Sequence, residues 1–183
     1  MDLRMVKTRA QIKEAFLKLR EKLMPEKIKV KDICEVAMIN KTTFYHHYTD
    51  SIELSQEIDE GAIDKVLSDF SEKDKMFDDP KAYILGLLHA LEREAEYLKR
   101  VFRGKQDILC AMLEERLRRF YDHSIQSEDD KVRISFAIGG FIRVVKDYIT
   151  SDAKNDIAQL VETTAHILKF LLKSKRVIAD TTV

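Results

Sequence analysis

Two cysteines, five glycines and two prolines in 183 residues leave several classes of protein without their building material. Cys34 and Cys110 stand far apart, with no CxxC and no paired spacing, so neither a disulfide framework nor a zinc ribbon is available. So little Gly and Pro removes the turn punctuation of an all-β chain and the periodicity of collagen. No run approaches 18 uninterrupted apolar residues, and the basic start MDLRMVKTRAQ has no apolar stretch behind it, so neither membrane spanning nor export is expected. A reduced, cytoplasmic protein is the expectation. What is abundant is charge, at 35%, beside 45% hydrophobic residues, the mixture from which amphipathic helices are made. The fold class read from this is all-α, with room for one or two small domains that bury their own core.

The net charge of zero conceals an asymmetry. Residues 1–50 carry 11 Lys/Arg against 7 Asp/Glu, and the remainder 21 against 25. A basic head points toward a polyanionic partner, because Lys and Arg at a phosphate backbone release condensed counterions, although a solvated charged surface accounts for the composition equally well.

Periodicity supplies the elements. Thr8-Arg-Ala-Gln11 has capping-box spacing, and Ile12, Ala15, Phe16, Leu19 and Leu23 form one stripe that ends before Pro25, which predicts a helix over 8–23. Val30 to Ala37 spans barely two turns, too little to be stable alone. Met38-Ile39-Asn40 follows, and Lys41 to Tyr48 reads as a second short helix with Asn40 as N-cap and Phe44 and Tyr48 on one face. Two short helices about a three-residue turn make a helix-turn-helix pattern. Asp50-Ser-Ile-Glu53 caps a long helix to about residue 70, and Asp79-Pro80 opens another that runs to about 102 and closes at Gly104. Further helices are expected over about 106–125, 130–149 and 153–173, with a frayed tail from Ser174. A boundary near residue 50 divides the chain into a domain of 1–50 and a helical domain of 51–183.

Thr8-Arg-Ala-x-Ile12, Val30-x-Asp-Ile-Cys-x-x-Ala37 and Ile39-Asn-Lys-x-Thr-Phe-Tyr-x-His-Tyr48 resemble the DNA-binding domain of the tetracycline-repressor (TetR) family of bacterial transcriptional regulators. The resemblance covers about residues 7–55; beyond it the chain is similar only in its number of helices and in a small-residue pair near the end. It implies a homodimer that binds double-stranded operator DNA and a C-terminal domain that takes a small effector. By the same resemblance Lys41, Thr42 and Thr43 make the contacts of the helix start, Tyr45 and His47 bind backbone phosphate, and His46 sits where base or sugar contacts vary. Three departures stand out: Met38 where the family usually has Gly or a polar residue in the turn, Lys29 in place of a capping Ser or Thr, and Ser51 in place of a phosphate-binding Lys. Lys29 or Lys31 is expected to compensate for the last.

The chemistry of the segment agrees on its own terms. Helix N-terminal residues reach base edges in the major groove, and Lys, Thr, Tyr and His are donors of suitable length, with a Thr methyl able to touch thymine. Catalysis has no such support: no Gly-rich phosphate loop, GxSxG elbow or HExxH occurs, and the pairs Glu114-Glu115 and Asp129-Asp130 lie among charged neighbours. No cofactor or metal is expected, since His46 and His47 are adjacent and diverge on a helix. Gly139-Gly140 inside an apolar helix, with Leu160 and Leu168 of the last helix, predicts a four-helix dimer interface. Tyr83, His89, Tyr97, Phe102, Met112, Tyr121 and Phe136 are the candidates to line an effector cavity, and an ordinary filled core explains them equally. The reading is a non-enzymatic repressor; the rivals are a regulator whose C-terminal domain binds another protein, and an all-α enzyme or adaptor without a DNA role.

Overall fold

The computed structural model describes residues 3–150 and 157–173. Among these residues every regular element is a helix, in the order α1 (Leu3–Arg20), α2 (Val30–Ala37), α3 (Lys41–Tyr45), α4 (Ser51–Asp69), α5 (Pro80–Arg93), α6 (Ala95–Val101), α7 (Gln106–Tyr121), α8 (Glu128–Thr150) and α9 (Ile157–Lys173). Single 3₁₀ turns stand at Pro25–Lys27 and Asp122–Ser124. The chain is all-α.

Four helix starts form as their side chains dictate. Asn40 accepts from the Thr43 N–H at 2.7 Å, Asp79 from the Ala82 N–H at 3.1 Å, and Asp50 from both Ile52 and Glu53 at 2.8 Å. Ser127 accepts from the Asp130 N–H while the Asp130 carboxylate reaches back to the Gln126 N–H. Except at Gln126, which precedes the cap, each pairing satisfies an otherwise orphaned donor of a first turn. Thr8 departs from this pattern. Its hydroxyl donates to the Arg4 carbonyl one turn earlier, at 3.0 Å, and α1 begins at Leu3 because no breaker precedes it. The stripe over 80–102 also divides into two helices at Glu94, whose buried carboxylate pairs with Lys65 at 2.5 Å. Apolar spacing stays in register across that break, so periodicity alone could not reveal it. The expected start of the last helix at about 153 and the tail from Ser174 lie outside the described residues.

Two compact units result. The first takes the chain up to Asp64 together with Ala95–Gly104; the second takes Lys65–Glu94 and the described residues from Lys105 onward. This division differs from a boundary at residue 50, because the first turns of α4 are bound to α1. Arg9 donates to Glu57 through two nitrogens, Lys13 reaches the same carboxylate at 2.7 Å, and buried Arg20 pairs with Asp59 at 2.7 Å. Arg100 of α6 similarly joins Glu14 and Glu21 of the α1 segment. The core of the first unit comprises Ile12, Phe16, Ile33, Phe44, Tyr48, Leu54 and Ile58. The second unit is centred on touching aromatic rings: Tyr83 lies 5.1 Å from Phe70, 5.3 Å from Phe141 and 6.3 Å from Tyr121, which in turn meets Phe77 at 5.7 Å.

Candidate nucleic-acid interface

α2 and α3 are too short to persist alone, and packing supplies what length does not. Ile33, Cys34 and Ala37 of α2 are buried, as are Phe44 of α3 and Tyr48 just beyond it. The turn closes with Met38 in the left-handed region (φ 52°, ψ 45°), which lets the N–H groups of Met38 and Ile39 bond back to carbonyls of α2. That conformation costs a non-glycine residue about 1–2 kcal/mol. The helix expected over 41–48 ends at Tyr45; His47 and Tyr48 continue as a turn bonded to the Phe44 carbonyl.

This framework directs the polar side chains outward. Lys41, Thr42, Tyr45 and His46 are exposed; Thr43 and His47 are half-buried. Thr43 uses both its N–H and its hydroxyl on Asn40, at 2.7 and 3.0 Å, so part of the function expected of it in base recognition goes to holding the cap. Tyr45 stands edge-on to Phe44 at 5.6 Å with its ring 55% exposed. Lys29 and Lys31 are exposed at the start of α2, where the Asp32 carboxylate accepts from the Lys29 N–H at 3.3 Å, the half of a capping box that does not need a Ser or Thr hydroxyl at the cap.

Behind α3 lies a charged buttress invisible in the linear pattern. Arg9 sits over the Tyr48 ring at 5.1 Å while it holds Glu57. Burial alone would raise the Glu57 carboxyl, but the donors Arg9 and Lys13, with Tyr48 nearby, prevail and set its pKa at about 2. Burial and the facing Glu57 push the Tyr48 phenol far upward, so it stays neutral.

The seven effector candidates are divided between the two units and differ in exposure. Tyr97 and Phe102 belong to the first unit, the others to the second. Tyr83 and Tyr121 are buried against each other, with Tyr121 donating to the Lys73 carbonyl; Met112 is half-buried. His89 is exposed rather than internal, on an open cleft of about 590 Å³ with Glu72, Lys75, Gly86 and Arg93. Phe136 is 71% exposed on the outside of α8, because at that position the helix turns its residue away from the face carrying Ile134, Ala137 and Ile138. The dimer candidates divide as well. Leu168 is buried within the chain itself and Leu160 is half-buried, whereas Gly140 is exposed with no atom within 4 Å of where a side chain would begin, and Gly139 meets only Glu114. Val132, Ile167 and Phe170 are exposed apolar residues as well, and the apolar spacing singles out none of the three. Among the described residues no cluster of three or more His, Cys, Asp or Glu side chains could hold a metal ion, and no helix is long and apolar enough to cross a membrane.

No protein-family model matches the chain, and no curated protein matches it in sequence. Its fold is shared with a solved transcription regulator. The dihydroxyacetone kinase operon activator DhaS superposes with a TM-score of 0.55 at 18% identity, over 92% of this chain and 97% of that one. The fatty acid degradation regulator FadR from Bacillus halodurans gives a TM-score of 0.43 at 16% identity, over 92% and 96%.

Proposed function

We propose that this chain is a homodimeric, TetR-type transcriptional regulator that binds double-stranded operator DNA through α2 and α3 and has no catalytic activity. One observation carries the reading: a short helix capped by Asn40 and anchored by Phe44 and Tyr48 presents Lys41, Thr42, Tyr45 and His46 to solvent from its first turns. That is the arrangement by which a helix start meets base edges while flanking side chains hold phosphate. The shared fold with an operon activator supports a regulator and leaves the sign to experiment; repression follows if the dimer simply occupies the operator. A duplex selected by the chain from a randomised pool serves as probe. Tyr45→Ala should weaken binding to all sequences, whereas Thr42→Ala or Thr43→Ala should also change the preferred sequence, each by about 1–3 kcal/mol. Unchanged binding by the triple variant overturns the assignment. A reporter downstream of the same duplex tells repression from activation.

Dimerisation is assigned to α8 and α9. Val132, Phe136 and Gly140 recur every four residues on α8, Ile167 and Phe170 extend the apolar surface on α9, and Arg133 donates to the Leu171 carbonyl beside it. The absence of side-chain neighbours at Gly140 leaves room for a close helix approach. Sedimentation at micromolar concentration should give a dimer for the natural chain and a monomer for the Phe136→Asp, Phe170→Asp pair.

A second reading concerns what the second unit recognises. The rings of Phe70, Tyr83, Tyr121 and Phe141 meet in its interior, and the clefts beside His89 and beside Phe120 are open ones, features that suit a protein surface as a partner. Native mass spectrometry of the chain isolated from its own cells separates the two: a retained small molecule supports the effector, a stoichiometric protein the partner.

A further inference from the structure

We propose that Met38 is itself a DNA contact, its thioether held outward by the left-handed turn so as to place apolar surface against thymine methyls or deoxyribose beside the bases reached from α3. The inference rests on the DNA-binding reading and adds a residue that contributes neither charge nor a strong hydrogen bond. Three observations converge on it. Met38 is the one non-glycine residue with positive φ among those described, and at 86% it is also the most exposed large hydrophobic side chain there. The turn requires only the backbone conformation, since its N–H groups are satisfied by the Cys34 and Glu35 carbonyls, and glycine would meet that need with neither the strain nor the exposed apolar surface. What the side chain does must therefore be sought outside the fold.

Its position supplies the occupant. Met38 precedes Lys41 by three residues, so it stands no more than about 10 Å of chain from the first donor of α3, or roughly three base-pair steps. Exposed Val36 at the end of α2 and exposed Tyr45 on α3 carry apolar surface on either side of the turn. A duplex lying against Lys41 and Thr42 thus meets an unbranched, polarizable side chain at the edge of the same contact, suited to the thymine methyl, which offers no hydrogen bond.

The test compares Met38→Gly, Met38→Asn and Met38→Leu in the full-length chain on the selected duplex and on a random-sequence duplex, with thermal unfolding and salt titrations alongside. Met38→Gly should raise the Tm by about 2–4 °C through relief of strain. It should nevertheless weaken binding to the selected duplex by about tenfold, as should Met38→Asn, which tolerates the left-handed turn but is polar. Met38→Leu should bind within about twofold of the natural chain, by virtue of similar apolar volume. In every variant the slope of log affinity against log salt should stay constant, since no phosphate contact is lost. Natural affinity in both Met38→Gly and Met38→Asn overturns the inference and leaves the DNA-binding reading intact, and so does a loss accompanied by a shallower salt slope. A natural chain that binds no duplex at all overturns the reading itself and this inference with it.

Discussion

The two units solve the same problem, holding helices together, by different means. In the first, charge joins segments far apart in sequence: Arg9 and Lys13 to Glu57, Arg20 to Asp59, Arg100 to Glu14 and Glu21. The second has such pairs too, Lys65 with Glu94, Lys81 with Glu162 and Lys146 with Asp107, but many others stay within one helix, as in Arg118 with Glu114, Arg119 with Glu115 and Arg143 with Asp147, and they are largely exposed. Pairs of that kind contribute little, about 0.3–0.5 kcal/mol each. Aromatic packing around Tyr83 is what orders the second unit. The first unit carries helices of only eight and five residues, α2 and α3, and its long-range ion pairs join the other helices, α1 to α4 and α6 to the α1 segment, whereas α5, α7 and α8 meet through the rings of Tyr83, Tyr121 and Phe141.

The sharpest way to break the comparison is to remove Arg20. It is buried, bonded to Asp59 and Ser55, and lies 5.3 Å over the Phe16 ring. Arg20→Ala strands Asp59 and should cost about 3–5 kcal/mol, read by thermal or urea unfolding. If the loss is no larger than that of Arg119→Ala, whose pair is exposed, charge does not organise the first unit.

Glu57→Gln gives an intermediate effect with a pH signature. The Glu57 carboxyl titrates at about 2 in the folded chain against an ordinary value of 4.5, so its contribution is complete above 4.5 and disappears as pH falls from there to about 2. At neutral pH the variant should be less stable by about 1–2 kcal/mol, a figure reduced because Arg9 and Lys13 remain partly in water. The gap from the natural chain should close across that acidic window. A gap independent of pH would show that packing, not charge, is what Glu57 supplies.

The smallest effect belongs to the second unit and has the opposite sign. The Tyr83 hydroxyl is buried without a hydrogen bond of ordinary geometry, and burial beside Tyr121 drives its pKa upward. Tyr83→Phe keeps every ring contact and should be neutral or stabilising by up to about 1 kcal/mol, seen as a Tm rise of about 2–4 °C. Destabilisation would reveal a hidden polar partner at the centre of the aromatic cluster.

Local chemistry in the sequence determined a good deal. Asn40, Asp50, Asp79 and Ser127 set helix starts through atoms within four residues of themselves, and the apolar spacing of Phe44 and Tyr48 sufficed to place the polar donors of 41–46 on the outside. What spacing could not supply was any property that depends on which helix faces which. Phe136 and Leu168 exchanged their expected environments, one exposed and the other buried, because a helix broad in apolar residues does not reveal which side packs against the rest of its chain. Glu94 at the helix break pairs with Lys65, 29 positions away, and the buttress behind α3 joins Arg9 and Glu57, 48 positions apart. Met38 shows the two levels together: its neighbours in sequence define a turn, but only the folded turn shows a strained backbone that gives its side chain to solvent. Caps and stripes are encoded within one or two helical turns, whereas ion pairs and exposed faces arise between elements whose meeting only the packed chain decides.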